Sequence, residues 1–352
     1  MSKPFPIRPG VVYLLTRRVV NRHFWLTPSS KLNQLFWYLF AVGAERYGLQ
    51  VHGVVVMSSH YHAVVTDPGA CIPAFEQWFH AYLALAINSL MERSGSFWGL
   101  RTLPRQILAD PGAIREKLIY VATNPTAAGL VAHGRDWPGV RSPPEAMLQY
   151  VQGKSMTFKR PSFFIDPKGD MPAEVTLSLS VPEMLLKEAE VEAVTAGDAP
   201  AGGAPELVAA RQRAASAKVV TDIIGRVKAK EEEEAEKLRA EGRSFLGRRH
   251  IQRQDRDKRA TSPEPHGAKR VRLPIFGTSS RELRDALLLA LAEWRRRYAK
   301  ARKALRAFIR WVGGGGGDQE SEDTEPITMP VFPEGTYKLR IELSVPCHPA
   351  PS

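Results

Sequence analysis

Two β-branched runs set around Ser58-Ser59, Gly53-Val-Val-Val-Met57 and His60-Tyr-His-Ala-Val-Val-Thr66, limit what this chain can fold into more than any other stretch. Apolar runs joined by so short a polar link predict a central hairpin. Successive side chains of a strand point to opposite faces, so His60 and His62 share one face and Tyr61 takes the other. Two imidazoles held that way on a rigid sheet form a pincer for a divalent ion. Further on, Tyr120 and Asn124 stand four apart in a helix-like segment, which puts a phenol and an amide oxygen on one face. The four residues together point to a metal site beside a nucleophile.

Val11 to Val19 is β-branched and aromatic enough for a first strand. Pro28-Ser-Ser opens a helix with the stripe Leu32, Leu35, Phe36, Leu39 and Phe40, and Gly48 marks its end. A second amphipathic helix spans about Pro73 to Arg93, with Phe75, Phe79, Leu83 and Ile87 turned inward. The tyrosine helix begins near Pro111-Gly112. Pro125 disfavours helical backbone at Asn124, so a kink or an end is expected there. Strand, helix, hairpin and helix in this order predict an α+β fold, an antiparallel sheet flanked by helices.

After about Tyr150 the texture changes to a largely helical, partly disordered extension. Residues 1–150 are taken as the catalytic domain, and 151–204 as an extension, with a possible hairpin between Ser155 and Pro182, ending in an Ala/Gly/Pro linker. Residues 205–312 form a basic helical region in which 245–275, basic and poor in apolar residues, is expected to be disordered. The acidic block Glu231-Glu-Glu-Glu234 is expected on a solvated helix face. Ser279 with Glu282 three later is a capping box. It opens a helix with the seam Leu287, Leu291, Trp294, Tyr298, Ala301, Leu305 and Phe308 and a basic outer face. Residues 313–352 are a Gly-rich linker and a tail with strand-like alternation from Tyr337 to Leu343.

The formal charge of +12 favours a polyanionic partner, nucleic acid before an anionic membrane surface. Cys71 and Cys347 are too few and too far apart for a disulfide framework or a zinc knuckle, which suits a reducing cytosol. No apolar run approaches the ~18 residues of a membrane span, and the first residues lack a signal-peptide core, so the expected compartment is the cytoplasm. Arg17, Arg18, Arg22, Lys117 and Arg141, near the first strand and the tyrosine helix, are the candidate phosphate contacts. Trp98 and Trp137 are read as core packing, with base stacking as the alternative.

The ordered set His60-Tyr-His62, then Tyr120 and Asn124 inside Tyr120-Val-Ala-Thr-Asn-Pro-Thr-Ala-Ala-Gly-Leu-Val131, resembles the HUH single-tyrosine transposases, closest to their REP-associated tyrosine transposase branch. Thr16-Arg-Arg-Val-Val-Asn-Arg22 and Asp136-Trp-Pro-Gly-Val-Arg-Ser142 belong to the same likeness, which runs from about Val12 to about Ser142. The resemblance implies a ferredoxin-like palm and cleavage of single-stranded or hairpin DNA that leaves a 5′-phosphotyrosine and a free 3′-hydroxyl. It leaves both monomer and homodimer open. Ser58-Ser59 departs from the Asn or Pro-Asn usual before the first histidine, which changes what orients His60.

The residues themselves suit that chemistry. An ion on His60, His62 and the Asn124 amide keeps positions for phosphate oxygens, and a donor set without carboxylate suits Mg²⁺ or Mn²⁺ with phosphate as co-ligand. Three other readings stand beside it. A catalytically idle relative would bind DNA hairpins in a regulatory role. A metal hydrolase using His60 and His62 would have no need of Tyr120. A three-carboxylate nuclease has only Asp67 near the motif.

Overall fold

The computed structural model of the chain describes residues 4–99, 105–195, 205–260, 274–313, 331, 333 and 334. Strand β1 (Val11–Arg18), α1 (Ser30–Arg46), β2 (Gln50–Met57), β3 (His60–Asp67), α2 (Ile72–Leu90) and β4 (Arg105–Leu108) follow the β-α-β-β-α-β order of ferredoxin-like folds. After them come α3 (Pro111–Ala127), α4 (Glu145–Val151), β5 (Met156–Lys159), β6 (Glu174–Leu177), α5 (Glu183–Thr195), α6 (Pro205–Ala240), α7 (Arg248–Gln252), β7 (Phe276–Gly277) and α8 (Arg281–Gly313). The main sheet is ordered β2-β3-β1-β4-β7 and is antiparallel except where β7 joins β4. Strands β5 and β6 pair separately as an antiparallel hairpin. The chain is thus of the α+β class. Of the described residues, 10–279 belong to one unit and 4–9 with those from 280 onward to another.

Alternation along β3 sorts its side chains as the period of two demands. Tyr61 is fully buried against the aromatic layer of α1 and α2, edge-on to Phe36 and Phe79, with its hydroxyl 2.7 Å from His80 Nε2. His60 and His62 point the other way, toward α3. Helix α3 lies close because Gly53 of β2 has no side chain: a Cβ there would come 3.3 Å from Leu118 Cδ2. The free edge of β2 is covered rather than exposed. Val56 N donates to the Val140 carbonyl, Ser142 N to that of Val54, and Ser180 N to that of Val51, at 2.8–2.9 Å.

Helix α1 starts where Ser29 accepts a hydrogen bond from Leu32 N, as the sequence predicts. Asp67 is a cap as well. Its two oxygens accept from Cys71 N and Ile72 N, each at 2.8 Å, which commits this buried carboxylate to the start of α2. Trp98 and Trp137 are core residues whose indole N–H groups donate to the carbonyls of His80 and Val56.

Several expectations need correction. Helix α3 does not stop at Asn124 but runs through Pro125 to Ala127, because its last turns are buried on both sides. The cap of α8 is Ser280 rather than Ser279: Leu283 N donates to Ser280 Oγ at 3.2 Å, while Ser279 bonds the Asp110 carboxylate. The acidic block of α6 is not wholly solvated. Glu231 is 7% exposed and accepts from Gly134 N at 2.7 Å, with His133 Nδ1 3.3 Å from its other oxygen. The stretch expected to be disordered from 245 is described to residue 260 with Ile251 fully buried in α7, and its backbone bridges His23 through Arg259. Residues 261–273, most of the Ala/Gly/Pro linker (196–204) and the strand-like tail at 337–343 lie outside the described residues. Among the described residues no helix is long and apolar enough to cross a membrane.

Candidate active site

Register brings the site together. Strand β1 pairs with β3 so that Thr16 lies opposite His62 and Arg18 opposite His60, and all four side chains face α3 by alternation. From α3, Tyr120 reaches back over the sheet. Its hydroxyl is 3.1 Å from His62 Nε2, and the two rings meet edge to face at 5.1 Å. Asn124, one turn on, opposes the effect of burial on the same phenol. Thr16 Oγ1 sits 2.8 Å from His62 Nδ1. The His60 ring lies 4.9 Å from that of His62 at an interplanar angle of 81°, with Ser59 Oγ 3.1 Å from its Nδ1.

These contacts form one directed chain. A neutral imidazole has one donor and one acceptor. With the phenol O–H donating to His62 Nε2, the Nδ1–H donates to Thr16 Oγ1, which fixes the tautomer. Tyr120 is 38% exposed as a residue, while its hydroxyl is anchored by His62.

Electrostatics keep both histidines neutral. Burial, and then the charges of Arg18 and Arg22, lower His60 to about 3. Burial lowers His62 well below its ordinary range, with His60, Arg18 and Lys117 adding to the effect. Burial also pushes the Tyr120 phenol above 10.0, opposed by the Asn124 hydrogen bond and by Arg18. The protein alone therefore holds the phenol protonated.

Two neutral imidazoles and an amide oxygen on one face are a chemically suitable set for a hard or borderline divalent ion. The set needs the amide, since among the described residues no cluster of three or more His, Cys, Asp or Glu could hold a metal. The Nε2 lone pair that accepts the phenol is also the one an ion would use, so ion and phenol compete for it.

The expected phosphate contacts divide. Arg18 is exposed on the site face, Arg22 acts on His60, and Lys117 Nζ lies 5.8 Å from the centre of the Tyr120 ring. Arg17 alternates to the opposite face and lies over Trp98, 5.8 Å from its ring centre. Arg141 turns inward, where its Nε donates to the Ala122 carbonyl at 3.4 Å and the charges of Glu231 and Glu145 act on it against the effect of burial. Thr16 and Ser59 were missed as site residues. The shared parity of Thr16 and Arg18 on β1 is the only signal that could have pointed to Thr16.

No family model matches the chain, and no curated protein does. Among solved structures it is similar to a REP-associated tyrosine transposase bound to a REP hairpin, with 16% identity and a TM-score of 0.33 over 49% of this chain and 95% of that one. It is also similar to a putative transposase from Deinococcus radiodurans, with 18% identity and a TM-score of 0.25 over 35% of this chain and 97% of that one. Both likenesses score low, and the chemistry of the site has to stand on its geometry.

Proposed function

We propose that this chain is a transposase-like DNA strand transferase that cuts and rejoins single-stranded or hairpin DNA through a covalent bond to Tyr120. The observation that carries this reading is the Tyr120 hydroxyl, held 3.1 Å from His62 Nε2 on a residue that is 38% exposed. A tyrosine placed only for packing has no need of a buried imidazole at its hydroxyl.

In the proposed reaction the Tyr120 oxygen attacks the phosphorus of a phosphodiester. A new phosphotyrosine bond forms to the 5′ side, the bond to the 3′ oxygen breaks, and the departing oxygen takes up the proton that the phenol gives up. The link conserves the energy of the broken bond, so a 3′-hydroxyl can reverse the step without a nucleotide cofactor. His62 holds the phenol in place through Nε2 until an ion takes that lone pair, Thr16 keeps the imidazole in the right tautomer, and Asn124 lies one turn beyond the phenol on the same helix. Arg18 and Lys117 offer positive charge to the phosphate entering beside them. His60, His62 and Asn124 would hold Mg²⁺ or Mn²⁺, which supplies Lewis-acid polarisation of the phosphate.

The test is a denaturing gel of purified protein incubated with labelled hairpin DNA and Mn²⁺, using oligonucleotides from the DNA flanking its own gene. A label that migrates with the protein, requires the metal and disappears in Tyr120→Phe is the expected result. Hairpin binding without any adduct across several metals and flanking sequences would replace this reading with that of a non-catalytic DNA-binding protein.

A further inference from the structure

Helix α8 carries a charge pattern that the Tyr120 site does not use. From Arg295 to Arg310 it has eight Arg or Lys and no Asp or Glu. At a rise of 1.5 Å per residue these cations extend along about 22 Å of helix. Pairs such as Arg302 with Arg306 and Arg306 with Arg310 are four apart, where like charges repel. Arg295, Arg296, Arg302, Lys303 and Arg306 line an open groove with Tyr298 and Pro4. Arg295 Nε donates to the Pro4 carbonyl at 3.2 Å, which ties the floor of the groove to the helix.

We propose that this groove is a second binding site, which grips the phosphate backbone of single-stranded DNA without reading its sequence. Three observations select that occupant. Five Arg or Lys line the groove, of which Arg296 is paired with Glu293, and a phosphodiester chain supplies negative charge along its length. The apolar seam, with Leu291, Trp294 and Ala301 buried, is already covered, so the helix has no continuous apolar face to sink into a lipid surface. Tyr298 lies in the groove among the cations, its ring stacked on Trp294 at 5.3 Å. An aromatic among cations suits unpaired bases, whose faces are open, better than the closed stack of a duplex. The site does not depend on the chemistry proposed at Tyr120.

Fluorescence anisotropy with a labelled mixed-sequence single strand, on the full chain in metal-free buffer and in a Tyr120→Phe background, separates the two. Lys303→Ala/Arg306→Ala removes two groove cations, and alanine preserves the helix. Arg281→Ala/Arg284→Ala removes the same charge from the same helix outside the groove. The groove variant is expected to bind every sequence more weakly, and its plot of log affinity against log salt to flatten by about 1.4, two contacts at ~0.7 each. The control pair should keep the parent affinity and slope. Equal losses in both variants, no loss in either, or duplex bound as tightly as single strand would overturn the proposal. So would a groove variant that loses binding to vesicles of anionic lipid while keeping its affinity for DNA. Circular dichroism on both variants, with Lys303→Gln/Arg306→Gln as a second groove pair, guards against a loss caused by unfolding.

Discussion

Both ring nitrogens of His62 are engaged, one by the Tyr120 phenol and one by the Thr16 hydroxyl, so the orientation of the imidazole is set from two sides. Partners of this kind typically contribute 10–100-fold to the affinity or activity of a metal-binding histidine. Thr16→Val keeps the volume and removes the hydroxyl. It is expected to slow adduct formation by about 10–100-fold, while Thr16→Ser stays near the parent rate in the same gel assay. His52 is a different case, a structural histidine whose ring nitrogens meet the Ser180 carbonyl and Thr66 Oγ1 at 2.8 and 2.7 Å. Burial lowers it from 6.5 to about 4, the Ser180 bond opposing. Between those values the unfolded chain takes up a proton that the folded one refuses. Its contribution is therefore complete above pH 6.5 and declines as pH falls toward 4, by on the order of 3 kcal/mol. Urea denaturation at the two ends of that window should show a shallower acid loss for His52→Gln than for the parent, and equal losses would refute the assignment.

Helix α3 is where local preference and tertiary packing disagree. Pro125 lacks the N–H that would bond the Val121 carbonyl, yet the helix resumes, with Ala128 N donating to Asn124 O at 3.0 Å and Leu130 N to Pro125 O at 3.0 Å. Burial between β2 and α6 offsets the missing bond. Val219, Val220, Ile223 and Val227 of α6 are buried, and Glu231 fastens the following turn by accepting from Gly134 N. Glu231→Ala leaves that buried N–H unpaired. It should cost about 1–3 kcal/mol in urea denaturation, with Glu231→Gln losing less because it keeps an acceptor. Gly53→Ala would put a methyl 3.3 Å from Leu118 Cδ2 and crowd the face of α3 that carries Leu118. A loss of about 1 kcal/mol is expected, with a slower Tyr120 reaction because the nucleophile rides on the crowded helix.

Over the whole molecule, the residues beyond 150 take part in the fold of the first unit. Gln254 Oε1 accepts from Ser58 Oγ at the turn of the histidine hairpin, and Leu246 N and Gly247 N donate to the Gly129 and Leu130 carbonyls just past α3. A chain cut after residue 150 would expose the outer side of α3 to water. It should melt well below a chain ending at residue 260, as differential scanning calorimetry would show, and the same midpoint for both would mean that the extension adds no stability.

The sequence by itself determined the elements and the parity of the site. Alternation around Ser58-Ser59, the stripes of α1 and α2, and the spacing from Tyr120 to Asn124 are local patterns that backbone geometry turns directly into faces. Only the tertiary structure decided what stands against those faces. Thr16 meets His62 across 46 residues and Glu231 meets Gly134 across 97, through strand register and helix docking that no local period encodes. For the same reason Arg17 and Arg141 look in sequence like any other surface cation. Their inward course follows from the opposite strand face in one case and from the hydrogen bond to the Ala122 carbonyl in the other.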